Sequence, residues 1–193
     1  MKRKKASIRT FCMTIMLFIL SATGLYAQGQ DVPFPQYGTG PIQVIIYTDY
    51  FCPPCRAMEP SVDPILNDLL KRNVITLTWV DTPFYRHSIM YAKYFLYALK
   101  MKNDSDQAFL VRNVLNAATA DRTMTTDKRI EELLKSKGIP YTVFETKPVF
   151  DRYNALIKEN KIQATPTCVI VKKGKKESFT GGPDIIAALK RLL

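Results

Sequence analysis

The tightest constraint on how this chain can fold is the stretch Asp49-Tyr50-Phe51-Cys52-Pro53-Pro54-Cys55. It follows an apolar run, Ile42 to Thr48, that reads as a strand, and it precedes Arg56-Ala57-Met58, which reads as the opening of a helix. Pro53 has a fixed backbone angle and no amide hydrogen, so it suits the first helical position. Cys52 then falls at the N-cap, where unpaired amides and the positive end of the helix dipole favour a thiolate. A sulfur that is ionised and accessible there can attack a disulfide, and Cys55, one turn further in, can resolve the mixed disulfide. The rival chemistry is half of a zinc site, which needs a second ligand pair. Downstream of the motif there remain Cys168 and the single histidine, His87, and neither belongs to a spaced pair, so no metal or organic cofactor is expected. A purely structural bridge across so short a loop would add little stability.

The chain is long enough for one domain with a sizeable core, and its 47% hydrophobic content excludes a disordered chain. The formal charge is +11, but Lys2, Arg3, Lys4, Lys5 and Arg9 supply five of those charges before any acid appears, leaving +6. The excess is spread over Lys71-Arg72, Lys135, Lys137 and Lys172-Lys173-Gly174-Lys175-Lys176. No aromatic-basic patch accompanies it, so solvated lysines are the expectation and nucleic-acid binding is not. After the basic start come an apolar run from Phe11 to Leu20, small residues, and Leu25-Tyr26-Ala27. That is the layout of a secretory signal peptide over residues 1–27, with Cys12 in the discarded part. The alternative is an uncleaved N-terminal membrane anchor, for which the apolar core is short. Export would place the dithiol where disulfides persist, and Cys52, Cys55 and Cys168 would remain as an odd set.

Residues 28–40 form an extended Pro/Gly-rich lead-in with a short edge strand near Val32 to Tyr37. The unbroken apolar character of Ile42 to Thr48 predicts a strand buried on both faces. The helix from Pro53 to about Arg72 contains Pro60 and Pro64, which predicts a bend near Pro60 and a restart at Asp63. Val74 to Val80 is a second, parallel strand, followed by a loop from Asp81 to Ser88. Helical patterns then cover Ile89 to Met101, Ser105 to Ala118 (capped at Asp104 or Ser105), Thr126 to Lys137, and Lys147 or Pro148 to Asn160. The aromatic stripe Tyr91, Tyr94, Phe95, Tyr97 has core spacing rather than that of a ligand pocket. Thr167 to Val171 and Glu177 to Thr180 make a hairpin around Lys173-Gly174-Lys175, and Pro183 to Leu193 is a closing helix.

Strand, Cys-Pro-Pro-Cys helix, strand, helical block, Ala164-Thr165-Pro166-Thr167, hairpin and terminal helix together resemble the thioredoxin superfamily. The helical block makes the chain similar to the DsbA-like branch of secreted thiol–disulfide oxidoreductases. The resemblance covers about Pro41 to Leu193. It implies an α/β thioredoxin fold over residues 41–193, with a helical insertion at about 84–146 between the second strand of the βαβ unit and the cis-proline strand. It implies an enzyme with Cys52 as nucleophile and Cys55 as resolving thiol. Thr165 and a cis Pro166 would align an extended substrate strand, with Pro53, Pro54 and Asp49 in support; the bland alternative is a proline that merely starts a strand. Its partners would be proteins carrying thiols or disulfides and a membrane redox partner, in the periplasm or outside the cell. The alternatives are a reductase or isomerase of the same fold, or a non-catalytic peptide-binding module.

Two departures from the family pattern stand out. Such enzymes often bury an acid six residues before the first cysteine, where this chain has Ile46. Asp49 lies closer and is either a proton acceptor for Cys55 or a capping, solvated loop acid. The residues between the cysteines are Pro-Pro, without the histidine that would donate to a thiolate and make a strong oxidant, so the direction of electron flow stays open. His87 is expected at the surface or a hinge, and Cys168 as a small buried hydrophobe.

Overall fold

The computed structural model describes residues 32–193, and Val32–Leu193 form one compact unit. The expected signal segment, Cys12 and the first residues of the lead-in lie outside the described residues. The strands are β1 (Gln36–Tyr37), β2 (Ile42–Thr48), β3 (Ile75–Asp81), β4 (Thr167–Lys172) and β5 (Lys175–Thr180). The helices are α1 (Pro53–Lys71), α2 (Ser88–Met101), α3 (Ser105–Ala118), α4 (Asp127–Ser136), α5 (Lys147–Glu159) and α6 (Gly182–Lys190).

The sheet order is β1-β3-β2-β4-β5, so the apolar strand β2 lies at its centre. β2 and β3 run parallel, and β4 pairs with β2 antiparallel. The β2 side chains alternate between two helical layers. Tyr47 Oη donates to the Leu156 carbonyl of α5, whereas Thr48 Oγ1 donates to Glu59 of α1. Both faces are therefore covered, which is why β2 reads as a continuous apolar run. Helix α6 packs beside α1. Between β3 and α5 the chain inserts α2, α3 and α4, whose inner faces bury Tyr91, Tyr94, Phe95, Leu115 and Ile130. The sheet and inserted helices give the mixed α/β thioredoxin fold with a helical insertion. Among the described residues no helix is long and apolar enough to cross a membrane.

Several expected boundaries change. Helix α1 is continuous through Pro60 and Pro64, with no restart at Asp63. Both prolines are exposed, so the carbonyls they leave without amide partners face solvent, while Met58, Val62, Leu66 and Leu69 anchor the opposite face. Asp81 belongs to β3 rather than to the loop, because it pairs with Thr48 at the end of the parallel ladder. The edge strand shrinks to Gln36–Tyr37, since Pro33 and Pro35 have no amide to give; the Pro35 carbonyl instead accepts from Trp79 N at 2.9 Å. Lys175 belongs to β5, paired with Lys172, so the hairpin turn is the two residues Lys173 and Gly174 at φ 50° and 77°.

Candidate active site

The end of β2 turns through Asp49, Tyr50 and Phe51 into α1. Cys52 is the N-cap, in extended conformation, and its sulfur accepts from the Cys55 amide at 3.3 Å. Pro53 and Pro54 fill the first helical turn, where a missing amide hydrogen costs nothing. The Thr165–Pro166 peptide is cis, and the Thr165 carbonyl accepts from Cys52 Sγ at 3.4 Å. Residues 113 apart in sequence thus meet at one sulfur. Cys52, Cys55 and Cys168 are free thiols.

The sulfur is not open to solvent as the sequence led us to expect: Cys52 is 2% exposed. The Thr165 carbonyl, at 3.4 Å, is one of the groups that lie against the thiol at the helix start. Cys55 is fully buried, and burial, then its bond with Cys52, pushes its thiol up to about 12. Cys168, opposite Ile46 in the sheet, is held at about 12 by burial alone, as a small hydrophobe in the core.

Asp49 is 2% exposed and not solvated. Its Oδ1 accepts from Phe51 N and Ser88 Oγ, both at 2.7 Å, and its Oδ2 accepts from Phe84 N at 2.7 Å. One carboxylate therefore ties the turn before the dithiol to the loop after β3 and to the start of α2. His87 is the N-cap residue of α2, and its ring centroid lies 6.0 Å from that of Phe51. The lone histidine is half-buried at the start of α2, against the residue that precedes Cys52 in sequence. Phe84, Tyr85 and Ile89 in the same region are exposed.

The position of the missing acid, Ile46, is fully buried and apolar. A buried charge cluster occurs instead one helical turn beyond Cys55. Glu59 accepts from Thr48 Oγ1 at 3.3 Å, from Arg112 Nη2 at 3.1 Å and from Asn116 Nδ2. Arg112 is 1% exposed, donates its Nη1 to Asp81 Oδ1 at 3.0 Å, and stacks 4.3 Å from the Trp79 ring centroid and 5.0 Å from that of Tyr50. Burial pushes the Asp81 carboxyl above its ordinary range, against the pull of Arg112. This cluster escaped the sequence reading. Its signals were Glu59 four residues after Cys55, on the same helix face, and Arg112 in register with the apolar Ala108 and Leu115 of α3.

Comparison with known proteins bears on the fold that carries this site. A family model described as Thioredoxin matches residues 39–180. A periplasmic thioredoxin-like protein from Salmonella enterica serovar Typhimurium superposes with a TM-score of 0.61 at 21% identity, covering 85% of this chain and 92% of that one. The catalytic domain of Proteus mirabilis ScsC gives a TM-score of 0.61 at 22% identity, with 85% and 91% covered. A putative protein-disulfide isomerase from Pseudomonas syringae gives 0.66 at 14% identity, with 84% and 98% covered. A comparison with curated proteins finds no match.

Proposed function

The chain belongs to the thioredoxin family, and from that premise we propose that it is a thiol–disulfide oxidoreductase acting on protein cysteines in the cell envelope through Cys52 and Cys55. The observation that carries this reading is the Cys52 sulfur at the start of α1, held by the Cys55 amide at 3.3 Å and facing the Thr165 carbonyl at 3.4 Å. In the reducing direction the Cys52 thiolate attacks one sulfur of a substrate disulfide and expels the other as a thiolate. Cys55 then loses its proton and attacks Cys52 Sγ, which releases the second substrate thiolate. The dithiol has given up two electrons and is now the Cys52–Cys55 disulfide. Oxidation of a substrate dithiol is the same sequence reversed, and a membrane redox partner resets the enzyme.

Thr165 and Pro166 are the residues that align the substrate. An incoming extended chain takes the place that Cys52 holds against the Thr165 carbonyl, and this uncovers the sulfur. Pro53 and Pro54 keep the helix start free of competing amides, and Asp49 fixes the turn that carries Cys52. The envelope assignment is supported by the signal layout of residues 1–27 and by the periplasmic description of the Salmonella relative. On this reading residues 28–40 are the lead-in and 41–193 the catalytic domain, with the insertion at about 84–146. The absence of a histidine between the cysteines favours the less oxidising side, so that a potential near thioredoxin's roughly −270 mV would mark a reductant and one near roughly −120 mV an oxidant.

Cys55→Ser should hold substrates on Cys52 as mixed disulfides, visible as thiol-sensitive adducts on non-reducing gels. Cys52→Ala should abolish both the adducts and insulin reduction. Full insulin reduction by Cys52→Ala would defeat the proposal.

A further inference from the structure

The β4–β5 hairpin carries an unusual concentration of charge. Lys172 stands directly opposite Lys175 in the ladder, a like-charge pair that costs stability. Arg191, just beyond the end of α6, reaches toward the same place with its guanidinium 5.4 Å from the Phe179 ring centroid. Between hairpin and helix lies a cleft of about 390 Å³, with Ile170, Ala188 and Leu192 as its apolar floor and Lys172, Lys173, Lys175 and Arg191 at its rim. Glu177 is the single acid lining it. Among the described residues none of those four cations takes part in an ion pair, whereas the neighbouring Lys176 pairs with Glu159 at 3.0 Å.

Lysines on an exposed edge strand discourage edge-to-edge pairing. That accounts for Lys175 on β5. It does not account for Lys172 on the inner strand, or for Arg191 brought in from a helix. Four unneutralised cations around an apolar floor match an anionic group attached to apolar material. A single cleft of this size holds one headgroup rather than an extended acidic peptide. A nucleic acid would need a free stacking surface, and Phe179 is already covered by Arg191.

We propose that the hairpin–α6 cleft docks the protein on an anionic lipid bilayer by seating a phosphate headgroup among Lys172, Lys173, Lys175 and Arg191. The sheet gives this docking a direction. Thr167 of β4 pairs with Tyr47 at the dithiol end, and Val171 pairs with Gln43 at the other, so the hairpin tip lies about 20 Å along the strand from Thr167. A bilayer bound there leaves Cys52 and the Thr165–Pro166 loop turned away from it, toward soluble proteins.

The test is vesicle flotation of residues 28–193, which keep the compact unit Val32–Leu193 and lack the basic, apolar segment 1–27 that would itself bind anionic vesicles, on phosphatidylcholine alone and on phosphatidylcholine containing phosphatidylglycerol. Two variants remove equal charge: K172Q/K173Q/K175Q/R191Q in the cleft, and R122Q/K128Q/K135Q/K137Q on exposed positions of the helical insertion. Insulin reduction serves as the fold control. The wild type should prefer the anionic vesicles. The cleft variant should lose about a hundredfold in anionic partitioning, while the control variant loses no more than about threefold. Raised salt should erase the preference as the screening length falls to about 3 Å at 1 M. Equal loss in both variants, no anionic preference in the wild type, or full retention by the cleft variant overturns the proposal. So does wild-type binding of inorganic phosphate or a single-stranded oligonucleotide that the cleft variant loses while its vesicle binding stays intact.

Discussion

Asp63 lies one turn beyond Glu59 on α1, on the face turned toward α3. Its carboxyl is pushed up to about 7, first by burial and then by the neighbouring Glu59, while Arg112 and Asn113 pull the other way. An acid whose pKa is higher folded than unfolded favours the protonated native state. Its contribution is fully present below the unfolded value near 4 and is lost as pH rises toward 7. The shift bounds the loss at about 4 kcal/mol, and solvent access to a partly exposed side chain reduces it. Asp63→Asn should therefore be more stable than wild type at pH 7.5 and indistinguishable from it at pH 3.5. Denaturant midpoints at the two pH values check this, and an equal gain at both would refute the assignment. Single residues of this kind are where the sequence was hardest to read. Asp49 drew notice for its place beside the dithiol, but two of its three bonds, to Phe84 and Ser88, depend on a segment 35 and 39 residues away. Glu59 and Arg112 each look like ordinary surface residues of a helix until α1 and α3 are laid together.

Elements were far more legible, because their signals are local. The cap at Asp104 opens α3 with its side chain accepting from Gln107 N at 2.8 Å, as a short acid before an amphipathic run should. That amide, with Lys102 as a second partner, holds the Asp104 carboxyl below its ordinary range. The depressed value makes its contribution present above the unfolded pKa and lost as pH falls through the folded one. Asp104→Ala should cost about 1 kcal/mol at pH 7 and progressively less as pH falls below about 4, measured as a shift in the unfolding midpoint. Helix α1 is the instructive departure. Interior prolines carry a strong local signal to break, yet Pro60 and Pro64 stand four residues apart on the solvent side, where water can bond the freed carbonyls. The buried face of the helix then outweighs the missing bonds. Which face a proline occupies is a tertiary fact, and the amphipathic pattern of Met58, Val62, Leu66 and Leu69 was the clue that it could be exposed.

At the scale of the whole molecule, the order of elements was readable because the dithiol, the Thr-Pro pair and the apolar strand are each tied to one place in the thioredoxin fold. What could not be read is how the helical insertion joins that fold. Beside aromatic contacts such as Tyr91 on Tyr50 and Phe109 on Trp79, the junction holds a buried ionic cluster: Arg112 of α3 reaches Glu59 of α1 and Asp81 of β3 while lying against Trp79 and Tyr50. A buried pair of this kind is a poor source of net stability, since desolvation offsets most of its attraction, but removing one partner strands a charge. Arg112→Leu should accordingly cost about 3–5 kcal/mol, because Glu59 and Asp81 stay buried without their cation. The combination Arg112→Leu, Glu59→Leu and Asp81→Leu should recover most of that loss, since no charge is then left in the interior. If the cluster instead supplies net stabilisation, the triple variant will be at least as damaged as the single one, and guanidinium unfolding of the two proteins separates these outcomes. The same pair of variants bears on chemistry. A cluster that only joins the insertion to the sheet leaves the potential of the Cys52–Cys55 couple unchanged in the triple variant, whereas one whose charge reaches Cys55 shifts it, with Glu59 a single turn away on the same helix.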